Sequence, residues 1–172
     1  MGYYPDVTIC AGQNVGPILF TSNATAATYT WTNSNASIGL SSGGTGNIPV
    51  FTAINNSTSP RTAIIRVFPS YTNAGLTCTP EFTTFLITVN LLPISSVNVT
   101  ETSGVAINDG IICQGATATM TASGGTTYVW STGATTAGIT TGTAGTYTVT
   151  VTNANTCTAS TSSTIVVNPL PT

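Results

Sequence analysis

Apolar and small polar residues alternate along most of this chain. In Thr146-Tyr147-Thr148-Val149-Thr150-Val151-Thr152 every second position is apolar and the positions between are Thr, the pattern of a strand with one face buried and the other wet. Ala63 to Phe68, Thr84 to Val89, Ala116 to Ala122 and Thr126 to Trp130 carry the same period. Gly43-Gly44, Gly124-Gly125, Gly133, Gly142, Gly145 and Asn153 to Asn155 punctuate these runs and read as turns. No stretch combines helix formers with a 3.6-residue period, so no α-helix longer than about two turns is expected. Short, regularly spaced strands with a Trp on an early one predict an all-β sandwich with Greek-key connections. The alternation places Trp31, Ile87, Val89, Trp130, Tyr147, Val149 and Val151 in the core and Thr148 and Thr150 in solvent. Gly145-Thr146-Tyr147 before a Val-rich strand reads as a tyrosine corner, in which the hydroxyl ties the strand to the preceding turn.

The chain also matches itself. Thr8-Ile9-Cys10-Ala11-Gly12 recurs as Ile111-Ile112-Cys113-Gln114-Gly115, and Tyr29-Thr30-Trp31 recurs as Tyr128-Val129-Trp130. Further on, Leu76-Thr77-Cys78-Thr79 answers to Asn155-Thr156-Cys157-Thr158, and Ile87 to Pro93 answers to Ile165 to Pro171. Four landmarks in one order indicate two tandem modules, residues 1–93 and 94–172, with the break between Asn90 and Val97. Leu91-Leu92-Pro93 places apolar residues and a φ-restricted Pro at the junction, which predicts a braced joint rather than a flexible tether.

Composition narrows the function. Among 172 residues only 3% are charged and none is His, against roughly 25% charged in ordinary domains. Lys is absent, the cations are Arg61 and Arg66, and the acids are Asp6, Glu81, Glu101 and Asp109. His-based triads, imidazole zinc sites, Schiff-base lysines and P-loops all need residues this chain lacks, as does a Lys-Asn isopeptide staple. The expectation is therefore no enzyme, no cofactor and no metal. A net charge of −2 cannot form the basic stripe that tracks phosphates, so nucleic acid is not an expected partner. Apolar residues never run to the roughly 18 needed for a spanning helix, so no membrane insertion is expected. Glu101 and Asp109, with Asp6 as a remote third, could form at most one loose calcium site.

The second module, with Cys113-Gln114-Gly115, Tyr128-Val129-Trp130-Ser131-Thr132-Gly133, Gly145 to Val151 and Cys157, resembles the Ig-like repeats of large surface proteins of gliding bacteria. The first, with Cys10-Ala11-Gly12, Tyr29-Thr30-Trp31-Thr32, Cys78-Thr79-Pro80 and Phe85 to Asn90, resembles the companion PKD-like repeat. The resemblance implies tandem PKD-like and Ig-like Greek-key sandwiches in the stalk of a long extracellular adhesin, exported by type IX secretion and in some members carried along the surface during gliding. Its partners would be neighbouring repeats, with glycans or surfaces engaged through other regions. The start at Met1-Gly2 has no apolar signal segment, which fits a piece cut from a longer protein. Two other readings stand beside it: a carbohydrate-binding accessory module of a secreted enzyme, which exposed Tyr3, Tyr4 and Tyr71 would favour, and a filament subunit pairing through sheet edges.

Individual residues carry sharper expectations. Trp31 and Trp130 are expected in the core rather than as sugar-stacking platforms. Thr117, Thr119 and Thr121, and Thr146 to Thr152 at alternate positions, are expected to be solvated strand faces, the alternative being a flat ice-binding lattice that a twisted sheet does not readily supply. Arg61 and Arg66 are expected to be solvated, the alternative being a contact to an acidic surface. No Cys-x-x-Cys pair is present, so Cys10, Cys78, Cys113 and Cys157 read as disulfide cysteines of an oxidising compartment. Pairing Cys10 with Cys78 and Cys113 with Cys157 within modules is the default. Strand order argues against it, because Cys113 would lie at one end of its sandwich and Cys157 at the other. A head-to-tail array instead favours an inter-module Cys10 to Cys157 bridge, with Cys78 and Cys113 left to neighbouring repeats; reduced thiols are the third alternative.

Overall fold

Each alternating run contains a strand, and the ladders decide how the strands assemble. The computed structural model describes residues 4–22, 27–73, 76–79, 81–104 and 106–170, and the chain forms two units, Met1–Leu91 and Leu92–Thr172. Among the described residues the fold is all-β, with no α-helix and one 3-10 turn at Ala36–Ile38.

In unit 1 the strands are β1 (Val7–Cys10), β2 (Asn14–Val15), β3 (Thr28–Asn33), β4 (Gly43–Thr45), β5 (Phe51–Thr52), β6 (Arg61–Asn73), β7 (Leu76–Cys78) and β8 (Thr83–Asn90). The main sheet runs β1-β8-β6-β3-β4, with β7 added to the far end of β6. β1 lies parallel to β8 and the other pairs are antiparallel. Alternation along β6 and β8 sends Ala63, Ile65, Val67, Phe85, Ile87 and Val89 inward to full burial. What covers them is mostly irregular: the short β2-β5 pair, an isolated Ile18–Ile48 bridge, and the buried Val15, Phe20, Ile38, Leu40, Ile48 and Ala53. Two buried Asn side chains hold this layer. Asn33 Nδ2 donates to the Leu40 carbonyl at 2.9 Å, and Asn55 Nδ2 donates to the Val89 and Ser59 carbonyls at 2.8 and 2.9 Å. Such side-chain bonds satisfy backbone groups that no ladder reaches.

Unit 2 is more regular, with β9 (Ser96–Thr100), β10 (Ile111–Cys113), β11 (Ala118–Ser123), β12 (Thr127–Trp130), β13 (Gly138–Thr141), β14 (Gly145–Thr152) and β15 (Thr158–Asn168). One sheet has the order β10-β15-β14-β12 and the other β13-β11-β9. Between them lie Ile112, Ala118, Met120, Ala122, Trp130, Val149, Val151 and Ile165, all buried. The path β1-β8-β6-β3 of unit 1 and β10-β15-β14-β12 of unit 2 match strand for strand, including the parallel first pair. Cys10 stands opposite Asn90 as Cys113 stands opposite Asn168, and Trp31 opposite Val67 as Trp130 opposite Val149.

Several local expectations need correction. Gly43-Gly44 is not a turn but part of β4, where a Cβ on Gly44 would lie 2.6 Å from Cζ2 of Trp31; glycine is needed there so that the strand can lie against the indole. Gly145 likewise opens β14. The predicted 63–68 strand extends to Asn73, because Pro69 falls where β6 has already parted from β8 and a missing N–H costs nothing. Tyr147 is half-buried rather than core, since its ring sits at the rim with its hydroxyl tied to a turn, and Thr148 and Thr150 are half-buried rather than exposed, each paired with a hydroxyl of β15. The remaining predicted core residues, Trp31, Ile87, Val89, Trp130, Val149 and Val151, are buried.

Candidate functional site

The cysteines sit on two recurring local structures. Cys10 and Cys113 each end the short parallel strand of their unit and enter a turn whose third residue, Gly12 or Gly115, has φ of +84° or +92°. Nothing lies within 4 Å of a Cβ at either glycine, so glycine is required there by the backbone dihedral alone. The residue after each Cys donates its N–H to the last strand, Ala11 to the Asn90 carbonyl at 2.9 Å and Gln114 to the Asn168 carbonyl at 2.8 Å. The second pair lies in the hairpins. Cys78 ends β7 opposite Tyr71. Cys157 is buried in the β14–β15 turn, where Asn153 Oδ1 accepts the N–H groups of Asn155 and Cys157, both at 3.0 Å. Thr156 in that turn has φ of +62°.

Strand length separates the cysteines within each unit. Cys113 is level with Asn168, and Cys157 immediately precedes Thr158 at the other end of β15, about 33 Å away at roughly 3.3 Å per residue. In unit 1, Cys10 is level with Asn90 and therefore near Arg61, while Cys78 pairs with Tyr71 at the far end of β6. That separation is again about 33 Å, against the 7 Å or so that a disulfide permits between Cα atoms. The two bridges within modules are thereby excluded. Cys10 and Cys157 are disulfide-bonded, and Cys78 and Cys113 are free and half-buried. The Cys78 thiol accompanies the Tyr71 hydroxyl, and this hydrogen bond, with the charge of the thiolate behind it, raises the Tyr71 pKa above the usual tyrosine value.

The aromatic residues are mostly structural. Trp31 and Trp130 are 4% and 2% exposed, too deep for a stacking platform. Trp130 Nε1 donates to the Thr136 carbonyl at 2.9 Å, whereas Trp31 Nε1 is buried without a partner among the described residues. Tyr4 is buried against Phe20 and Phe85, with ring centroids 5.2 and 6.0 Å away, and its hydroxyl bonds the Thr21 backbone. Of the proposed exposed Tyr cluster, Tyr4 is thus in the core, Tyr71 is half-buried beside Cys78, and Tyr3 lies outside the described residues. Tyr147 donates to the Thr143 carbonyl at 2.9 Å and lies 2.7 Å from Thr141 Oγ1, which ties β14 to the turn before it.

The acids hold backbone. Glu101 is 3% exposed, and its Oε2 and Oε1 accept the N–H groups of Ser103 and Asp109 at 2.9 and 3.1 Å. Asp109 Oδ1 accepts from Ile111, and Ser103 Oγ accepts from Cys113, so this carboxylate organises the loop that leads to Cys113. No group of three or more potential metal ligands exists among the described residues. Thr117, Thr119 and Thr121 are exposed, and the Thr faces pair sideways: Thr119 with Thr140 at 3.0 Å, Thr146 with Thr164 at 3.1 Å, Thr148 with Ser162 at 2.9 Å and Thr150 with Ser160 at 3.0 Å. Arg61 is half-buried at the start of β6, and Arg66 is exposed with its guanidinium 5.9 Å from the Phe82 ring centre. Two open grooves, of about 550 Å³ beside Phe20, Tyr29 and Asn47 and about 400 Å³ beside Thr132, Thr136 and Tyr147, are lined by no carboxylate, thiol or cation. Among the described residues no helix is long and apolar enough to cross a membrane. No protein-family model matches this chain, and no curated protein matches it in sequence.

Proposed function

We propose that the chain is a non-catalytic, structural and adhesive segment of a long extracellular surface protein, built from PKD-like and Ig-like Greek-key repeats in the manner of gliding-adhesin stalks, and covalently stapled from repeat to repeat. The observation that carries this reading is the division of the four cysteines. Cys10 and Cys157 are oxidised, Cys113 and Cys78 occupy the equivalent strand end and hairpin as thiols, and partners within a unit are out of reach. A bridge from Cys10 to Cys157 joins the strand end of one repeat to the hairpin of the next. By the same rule Cys113 pairs with the hairpin cysteine of a following repeat, and Cys78 with the strand-end cysteine of a preceding one.

Disulfides at every junction suit an oxidising, extracellular setting. They also suit load. A pull on the two ends of the chain then passes through Cys10 and Cys157 and bypasses the hydrogen-bonded ladders between them. Near-absence of charge adds indifference to salt and pH, because few groups titrate and few fields are screened. The partners are neighbouring repeats, and the location is the cell surface.

Non-reducing peptide mapping of the protein taken from the cell surface tests the reading. The expected result is a Cys10 peptide linked to a Cys157 peptide, with Cys78 and Cys113 linked to peptides of other repeats. Cys113 linked to Cys157, or all four thiols free, would contradict it.

A further inference from the structure

The outer face of the unit 1 sheet is used by neither the core nor the cysteines, and it is the apolar one. Register places Leu86 beside Ile64 and Thr84 beside Arg66 on β8 and β6, and Phe82 meets Phe68 with ring centroids 5.4 Å apart. Ile64, Leu86 and Phe82 are 40%, 38% and 52% exposed. On the β1 side Asp6 flanks Leu86, accepting its N–H on Oδ1 at 2.8 Å. In a chain with two cations and four acids, one of each lies on this apolar face. Among the described residues neither makes an ion pair: Arg66 lies over Phe82, and Asp6 bonds backbone.

We propose that this face is a self-association surface on which a second copy of the chain docks by a two-fold axis, setting Arg66 of each copy against Asp6 of the other. On a regular sheet, with strands about 4.8 Å apart and same-face residues about 6.8 Å apart, Asp6 and Arg66 are separated by two strands and one row, roughly 12 Å. A two-fold midway between them, lying in the interface, exchanges the two charges. The same rotation carries Leu86 to within about 3 Å of the Ile64 position of the other copy, so one operation matches both the charges and the aliphatics, as an isologous interface requires. An acidic partner would satisfy Arg66 and oppose Asp6, and a basic partner would do the reverse. A surface carrying one of each complements itself. A net charge of −2 leaves little general repulsion between copies. The inference concerns unit 1 alone and stands apart from the stapled-stalk reading.

Sedimentation of the full chain over a range of concentrations tests it, with the free thiols Cys78 and Cys113 alkylated so that no dimer is disulfide-linked. The chain is expected to form a reversible dimer. Arg66→Asp and Asp6→Arg are each expected to weaken it at least tenfold, and a one-to-one mixture of the two variants to restore it, since each supplies the charge the other has lost. Ile64→Thr, at an exposed strand position, is expected to weaken it without lowering the thermal midpoint. A wild-type chain that stays monomeric throughout overturns the proposal, as does a dimer indifferent to all three substitutions or a mixture that fails to associate.

Discussion

The two tryptophans occupy equivalent positions and differ in one bond, which allows a sharp comparison of Trp31→Phe with Trp130→Phe. Both side chains are almost fully buried, so each replacement removes a similar volume and leaves a small cavity, costing about 1 to 2 kcal/mol. Trp130→Phe also deletes the 2.9 Å bond to the Thr136 carbonyl, adding about 1 kcal/mol. Trp31→Phe deletes a buried N–H that has no partner and so returns about 1 to 3 kcal/mol of desolvation cost. Trp130→Phe should therefore destabilise its unit by about 2 to 3 kcal/mol and Trp31→Phe by less than about 1 kcal/mol. Hydrogen exchange read by mass spectrometry suits the question, because it reports local opening at β12 and at β3 separately. Equal losses at both sites, or a larger loss at Trp31, would refute the reasoning.

Gly44→Ala should destabilise unit 1 by about 1 to 3 kcal/mol through overpacking against the indole, and much less in the Trp31→Phe background, a coupling that a double-mutant cycle on β3 exchange would measure. Thr156→Asn should stabilise unit 2 by about 1 kcal/mol, since Asn tolerates the left-handed φ that a β-branched residue resists; a comparable loss in thermal unfolding would show that the Thr156 bond to the Asn155 carbonyl outweighs the strain. Tyr71 should keep its proton to higher pH than an ordinary tyrosine, and alkylating Cys78 should bring its spectrophotometric titration back down, because the raised pKa comes first from the Cys78 hydrogen bond and then from thiolate charge.

Where one face of a strand meets a core and the other meets water, the sequence announces it. Thr146 to Thr152 reads directly as β14, and the paired Cys-x-Gly turns are visible as repeats because an obligatory left-handed glycine marks each. The tyrosine corner is legible for the same reason, as a local device with a fixed spacing. The second layer of unit 1 is not legible. Val15, Phe20, Ile38, Leu40 and Ile48 reach the core from irregular backbone, and the Asn33 and Asn55 side chains that replace ladders look from sequence like ordinary turn residues. Gly44 misleads because a glycine that makes room for Trp31 is indistinguishable in sequence from one that makes a turn. The oxidised cysteines are half legible. Strand order alone shows that Cys113 and Cys157 lie at opposite ends of one sheet, but the length of β6, hidden by Pro69, is what separates Cys10 from Cys78.

The stapled-stalk account is tested most directly by pulling the chain from its two ends, first oxidised and then after reduction. With Cys10 bridged to Cys157, roughly 145 residues are shielded from the force, and at about 3.5 Å per residue close to 500 Å of chain should remain hidden. Reduction should release that length as two unfolding events, one for each unit. Full extension of the oxidised chain, with no gain on reduction, would contradict the account.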